Sequence, residues 1–187
     1  MMDDRINLLA KIARTPRTTA EIAPGGRSIL TIAASSYGSR PVDEGTVPTG
    51  FDLFAAALFE SIVEAAYLVA TADGVFDDDE RQTFERIVTA ACSGAVGQGQ
   101  IASLVADLAD QLAEDGLERR VQRLGEGIQR EEQAVEVLRI AALIAQASED
   151  VSDVERSTLE SLALACRLPA GAVDRALAEV KASLSAT

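Results

Sequence analysis

An all-α domain made of two related helical halves is what this sequence predicts, and three observations predict it. Aromatic residues make up 4% of the chain and Trp is absent, while Ala, Leu, Glu, Asp and Arg abound, a composition that favours helices with small aliphatic cores over strands. Apolar residues recur at helical spacing in one segment after another from Phe51 onward. The chain also repeats itself. Placing Glu80 over Glu155, a spacing of 75 residues, sets Asp77 over Ser152, Arg81 over Arg156, Phe84 over Leu159, Ile87 over Leu162 and Ala91 over Cys166.

At 187 residues the chain is long enough to bury roughly two thirds of its unfolded surface without metal or disulfide staples. The net charge of −13 is unevenly spread. Residues 1–50 carry six Lys and Arg against five Asp and Glu, so residues 51–187 carry −14. Such a body repels nucleic acid and anionic lipid and attracts cations or basic partners. His is absent and the two cysteines, Cys92 and Cys166, show no ligand spacing, which excludes zinc fingers and His-ligated metals. Small buried hydrophobes are the reading for both thiols, and a reducing cytoplasm suits them. No signal peptide is expected from the acidic start, and no membrane span, because Glu60, Ser61 and Glu64 interrupt the longest apolar run.

Taken in order, residues 4–14 predict a short amphipathic helix on Ile6, Leu9, Ala10 and Ile12, stopped by Pro16. Residues 15–50 are rich in Thr, Ser, Gly and Pro and read as a long arm. Its apolar patch Ile29–Ala34 either lies against the body, with Arg14, Arg17, Arg27 and Arg40 facing the acids, or the arm is a mobile tail. The domain boundary is set at 50/51, with an all-helical domain over 51–187. Residues 51–72 are apolar nearly all round, on stripes through Phe54, Leu58, Ile62, Ala66 and Val69 and through Phe59, Val63 and Ala70; a helix with two apolar stripes is central. Asp77 as N-cap with Glu80 three residues on forms a capping box that opens the next helix, buried through Phe84, Ile87, Val88 and Ala91. Helices follow over about 100–114, on Ile101, Leu104, Val105, Leu108 and Leu112, and over 117–127, the latter weakened by Gly125 and Gly127. The second hairpin starts near Gln129, again apolar on two sides, and is expected to pack on its repeat mate. A second capping box, Ser152 with Glu155, opens a helix buried through Leu159, Leu162, Ala163 and Cys166. Leu168-Pro169 stops it, and a last helix over about 170–184 uses Val173, Leu177 and Val180.

The chemistry-bearing stretch is Ala70–Arg81, where an Asp-Gly turn leads into four consecutive acids. Hard cations need several oxygens converging from a tight turn, so Asp73, Asp77, Asp79 and Glu80 are the candidate ligands for calcium, magnesium, manganese or zinc. Asp153 and Glu155, near Glu149 and Asp150, form a weaker second candidate. An EF-hand register puts Gly74, Asp73, Phe76, Asp77 and Glu80 in fitting places, but its first two carboxylate positions fall on Val69 and Thr71, so a calcium loop of that kind is not expected. The same residues read first as helix caps, with Asp73 bonding amides across the turn; the two readings are compatible, since a capping carboxylate keeps spare lone pairs. No nucleophile has a visible base, so no enzyme is expected.

The sequence Ala72-Asp73-Gly74, the apolar step Val75-Phe76, then Asp77 with Glu80 and an amphipathic helix, repeated approximately over Ala145–Leu168, resembles the TerB-like family. That family includes the tellurite-resistance protein TerB and is related to the N-terminal domain of the co-chaperone DjlA. The resemblance covers about Phe51–Leu184. It implies about seven helices in two pseudo-symmetric halves, an acidic cluster proposed to bind metal, and a role in tellurite and other chemical stress. It also implies links to the inner membrane, where peripheral association of a cytoplasmic protein is the expectation, and to metal-sensing complexes with protein partners. Asp73 and Glu80 match its motif in the first half and Glu155 in the second. Ser148-Glu149 replaces Asp73-Gly74 in the second half, which puts an equivalent second site in doubt. Two functions follow: a stress-response accessory whose acidic face binds a divalent cation and supports complex assembly, or a metal-free module that receives a basic or amphipathic partner segment.

Overall fold

The central pair of helices, α3 (Leu53–Ala70) and α7 (Glu131–Ala145), pack on each other and carry most of the fully buried side chains. The structure is a computed structural model, and it describes residues 2–16, 27–40, 51–74, 76–147 and 151–186. Among these, the other helices are α1 (Met2–Arg14), α2 (Ile29–Gly38), α4 (Asp78–Ala91), α5 (Gln98–Asp115), α6 (Leu117–Gly127), α8 (Asp153–Ala165) and α9 (Ala172–Ser185). The all-α class is as expected, and the helices number nine among the described residues against about seven. Seven of them, α3–α9, lie in residues 51–187; before them stand α1, the short helix expected there, and α2, which is new, in the stretch read as an arm. Its Ser28 cap accepts the Thr31 N–H, and its apolar residues Leu30, Ala33, Ala34 and Tyr37 are buried. Ten residues with an almost uniformly apolar face give little 3.6-residue contrast, so periodicity does not announce such a helix.

α2 lies along α3, with Tyr37 stacked on Phe59 at 4.9 Å and Arg40 paired to Glu60 at 2.7 Å. Its last residue, Gly38, meets the turn before α5 so closely that a Cβ there would sit 1.7 Å from the Ala95 carbonyl oxygen. α1 packs on α4, α7 and α9 through Ile6, Leu9, Ala10, Ile12 and Ala13. Both helices of residues 1–50 are thus packed on the helical body.

The 75-residue repeat is visible in three dimensions. α3, α4 and α5 correspond to α7, α8 and α9, and α1 touches α4, α7 and α9 as α6 touches α8, α3 and α5. α1 therefore stands where the repeat requires a partner for α6. The two central helices fix these flanking helices from one shared register position. Glu64 on α3 accepts from Arg120 of α6, at 2.8 Å from Nε and 2.6 Å from Nη2. Arg139 on α7, 75 residues later, donates to the Ala13 carbonyl at 2.9 Å and the Ile12 carbonyl at 3.2 Å, at the end of α1. Glu136 holds the Arg139 guanidinium from the other side at 2.8 and 3.0 Å.

α3 is long and apolar enough to cross a membrane by length and composition, yet 61% of that span is buried inside the protein, the position of a core helix. α6 approaches α8 closely: a Cβ on Gly125 would lie 2.5 Å from Ala165 backbone. The glycine that lowers the helix propensity of α6 is what lets it dock.

Candidate functional site

The acidic turn begins where α3 ends. Thr71 caps that end with its N–H on the Tyr67 carbonyl, and the Gly74 N–H closes a turn onto the Thr71 carbonyl at 3.0 Å. Gly74 has φ +81°, a conformation that a β-carbon disfavours. Behind the turn, Tyr67, Phe76 and Phe84 form an edge-to-face trio with centroids 5.4–6.1 Å apart. This apolar anchor fixes the angle at which α4 leaves, and burial among these rings pushes the Tyr67 hydroxyl pKa up.

The capping box forms as expected: the Asp77 carboxylate accepts the Glu80 N–H at 2.8 Å and Glu80 accepts the Asp77 N–H at 3.0 Å. The box brings these two carboxylates together at the head of α4. Asp78 is turned to Arg81 at 2.9 Å, which raises the Arg81 pKa through that hydrogen bond and its charge. Asp79 and Asp73 are exposed. Among the described residues, no group of three or more Asp, Glu, Cys or His side chains is placed to hold a metal ion. The macrodipole at a helix start also favours the acids themselves over a cation beside them.

In the second half, Ser152 and Glu155 make the matching box, with Glu155 Oε2 accepting the Ser152 N–H at 2.8 Å and its hydroxyl at 2.9 Å. Asp153 is exposed. Ser148, Glu149 and Asp150 lie outside the described residues. Arg156 pairs with Asp174 and with Glu160, and both raise its pKa. The two cysteines are buried, Cys92 at the end of α4 and Cys166 at the end of α8. Burial pushes the Cys92 thiol to about 12 and the Cys166 thiol to about 11, so neither is a poised nucleophile.

Sequence reasoning missed the buried charges. Glu64, Asp115, Arg120 and Arg123 form one network, in which Asp115 takes Arg123 at 2.6 Å and Arg120 at 3.3 Å. Burial raises the Glu64 pKa against the opposing pull of Arg120. The signal was available in the repeat, since Glu64 and Arg139 share a register position inside otherwise apolar helices. Glu85, mid-helix in α4, is buried, and its Oε1 has no hydrogen-bond partner; Arg81 Nη1 stands 3.9 Å away.

Neither a curated protein nor a solved structure matches the chain. A family model described as tellurite resistance protein TerB matches residues 59–178. That span takes in α3 from Phe59 onward, all of α7, both capping boxes and the acidic turn, and it exceeds half of the chain. The chain belongs to the tellurite resistance protein TerB family.

Proposed function

We propose that this TerB-family chain is a non-enzymatic accessory of a tellurite-type stress response, and that it works by receiving a positively charged protein partner on its acidic body. One observation carries the reading. Residues 51–187 hold −14, and their arginines are largely engaged in ion pairs within the chain, Arg120 with Glu64 and Asp115 and Arg139 with Glu136 in buried pairs, Arg156 with Asp174 at the surface. Asp79 and Asp153 face solvent at the starts of α4 and α8, as do Asp77 and Asp78, although Asp77 also caps α4 and Asp78 also holds Arg81. A net field of one sign steers a complementary partner and loses strength as salt rises. The test is titration of the full chain with an oligolysine peptide. Affinity that falls steeply with salt is expected; absent or salt-indifferent binding contradicts the reading.

A divalent cation at the α3–α4 turn is the second reading. The capping box favours it only through the two carboxylates it holds side by side, Asp77 and Glu80, each of which keeps lone pairs free. Melting in EDTA and then in calcium, magnesium, manganese or zinc tests it. A cation at about 100 times its Kd adds roughly 2.7 kcal/mol, and Asp73→Ala with Glu80→Ala should abolish that gain. An unmoved wild-type transition removes the cation.

A further inference from the structure

A groove of about 620 Å³ opens where the N-terminal ends of α3 and α7 meet. Its lining from residues 52–58 and 127–133 is related by the 75-residue spacing, so it straddles the internal symmetry. α2 has no counterpart in the second half, and this makes the groove two-faced. One wall is apolar, from Ile29 and Ile32 of α2 with Phe54 and Leu58 of α3; the other is polar, from the α6–α7 link and the first turn of α7, including Gln129 and Glu132.

We propose that this groove is a docking site for an amphipathic helix of a protein partner, bound with its apolar face on α2 and α3 and a basic face on α7. The proposal deepens the partner reading above and rests on it. Two features select this occupant. Phe54 is 86% exposed, at the lip of a cleft whose apolar wall continues inward to Leu58. A small ligand, which buries most of its own surface in an enclosing pocket, would leave that lip uncovered, whereas a helix laid in the groove covers it. The charge of the lining selects the basic face: Asp52 and Glu132 line the groove against the single cation Arg130, on a body that carries −14 over residues 51–187. The same acidity disfavours an anionic lipid surface.

The probe is a fluorescent helical peptide of about five turns, with leucines at i, i+3, i+4 and i+7 and lysines elsewhere, titrated into the full chain. A peptide of the same composition in scrambled order serves as comparison. Tighter binding of the amphipathic peptide is expected, weakened about tenfold by Phe54→Ala, as for an aromatic hot spot. Phe54 is exposed, so that variant keeps the wild-type melting temperature. Ala57→Glu, on the exposed groove side of α3, reports on the same face without touching the core. Amide shifts should cluster at Ile29, Ile32, Leu58 and Gln133. Equal, salt-sensitive binding of both peptides overturns the groove while leaving the acidic-body reading intact; binding of neither overturns both. Sedimentation with phosphatidylglycerol vesicles that depends on Phe54 also overturns the proposal, in favour of a membrane.

Discussion

Replacing Arg139 by Met should show how α1 is held. Arg139 is 3% exposed and Glu136 4%, and their paired hydrogen bonds lie between α7 and the end of α1. Removing one partner of a buried pair strands the other charge, at about 3–5 kcal/mol. The Ala13 carbonyl also loses its guanidinium donor, while the Ile12 carbonyl keeps the Thr15 N–H at 3.1 Å. For a chain of this size each kcal/mol moves Tm by roughly 2–4 °C, so thermal unfolding followed by circular dichroism should show a fall of about 10 °C. Adding Glu136→Leu removes the stranded carboxylate and should restore most of the loss. What remains should appear as faster amide exchange confined to α1. A single variant that melts within about 2 °C of the wild type would refute the reasoning, because it would mean the pair is not desolvated.

Three further outcomes follow from the same structure. Gly38→Ala should destabilise by about 1–3 kcal/mol through its clash with Ala95 backbone, whereas Gly74→Ala, with open space around it but φ +81°, should cost about 1 kcal/mol of backbone strain; urea unfolding ranks the two. Glu64 has a raised pKa through burial, so its folded form binds a proton more readily than the unfolded chain. Its stabilising contribution is complete below the unfolded value, about 4.3, and is lost as pH rises through the folded one. The wild type should therefore gain on Glu64→Gln as pH is lowered from 7 toward 4, read by urea midpoints at each pH, and a gain in the opposite direction would reverse the assignment. Cys92 and Cys166 should react with a disulfide reagent at pH 8 only as fast as the protein opens, and immediately in denaturant, given thiols held at about 12 and 11.

The capped turns were legible because their signal is local: Asp77 with Glu80 and Ser152 with Glu155 satisfy the first amides of their own helices whatever packs around them. α3 and α7 were legible for a different reason, since apolar stripes on two sides leave a helix no place but the centre. α2 was not, because the polar face of Ile29–Gly38 is only Thr31, Ser35 and Ser36, without a charge, and the helix docks on Phe59, Glu60 and Ala95, at least 20 residues away. The charged network escaped as well. Nothing within a few residues of Glu64 reveals its partner on α6, and Glu136 beside Arg139 does not reveal that the guanidinium also reaches the carbonyls of α1. The candidate site was legible as a set of acids and as a turn, and whether those acids gather around an ion is a question of side-chain geometry that spacing does not encode.

The measurement that bears most directly on the partner reading is the low-salt affinity of the full chain for oligolysine, with Asp78, Asp79 and Asp153 each changed to Asn. These carboxylates are exposed at the two helix starts and accept neither capping-box bond, so the fold should stay as it is, with a loss of about 0.3–1 kcal/mol for each helix-start charge removed. Binding weakened several-fold at low salt, with the difference vanishing at high salt, is the predicted result. Affinity unchanged by the three substitutions would contradict it.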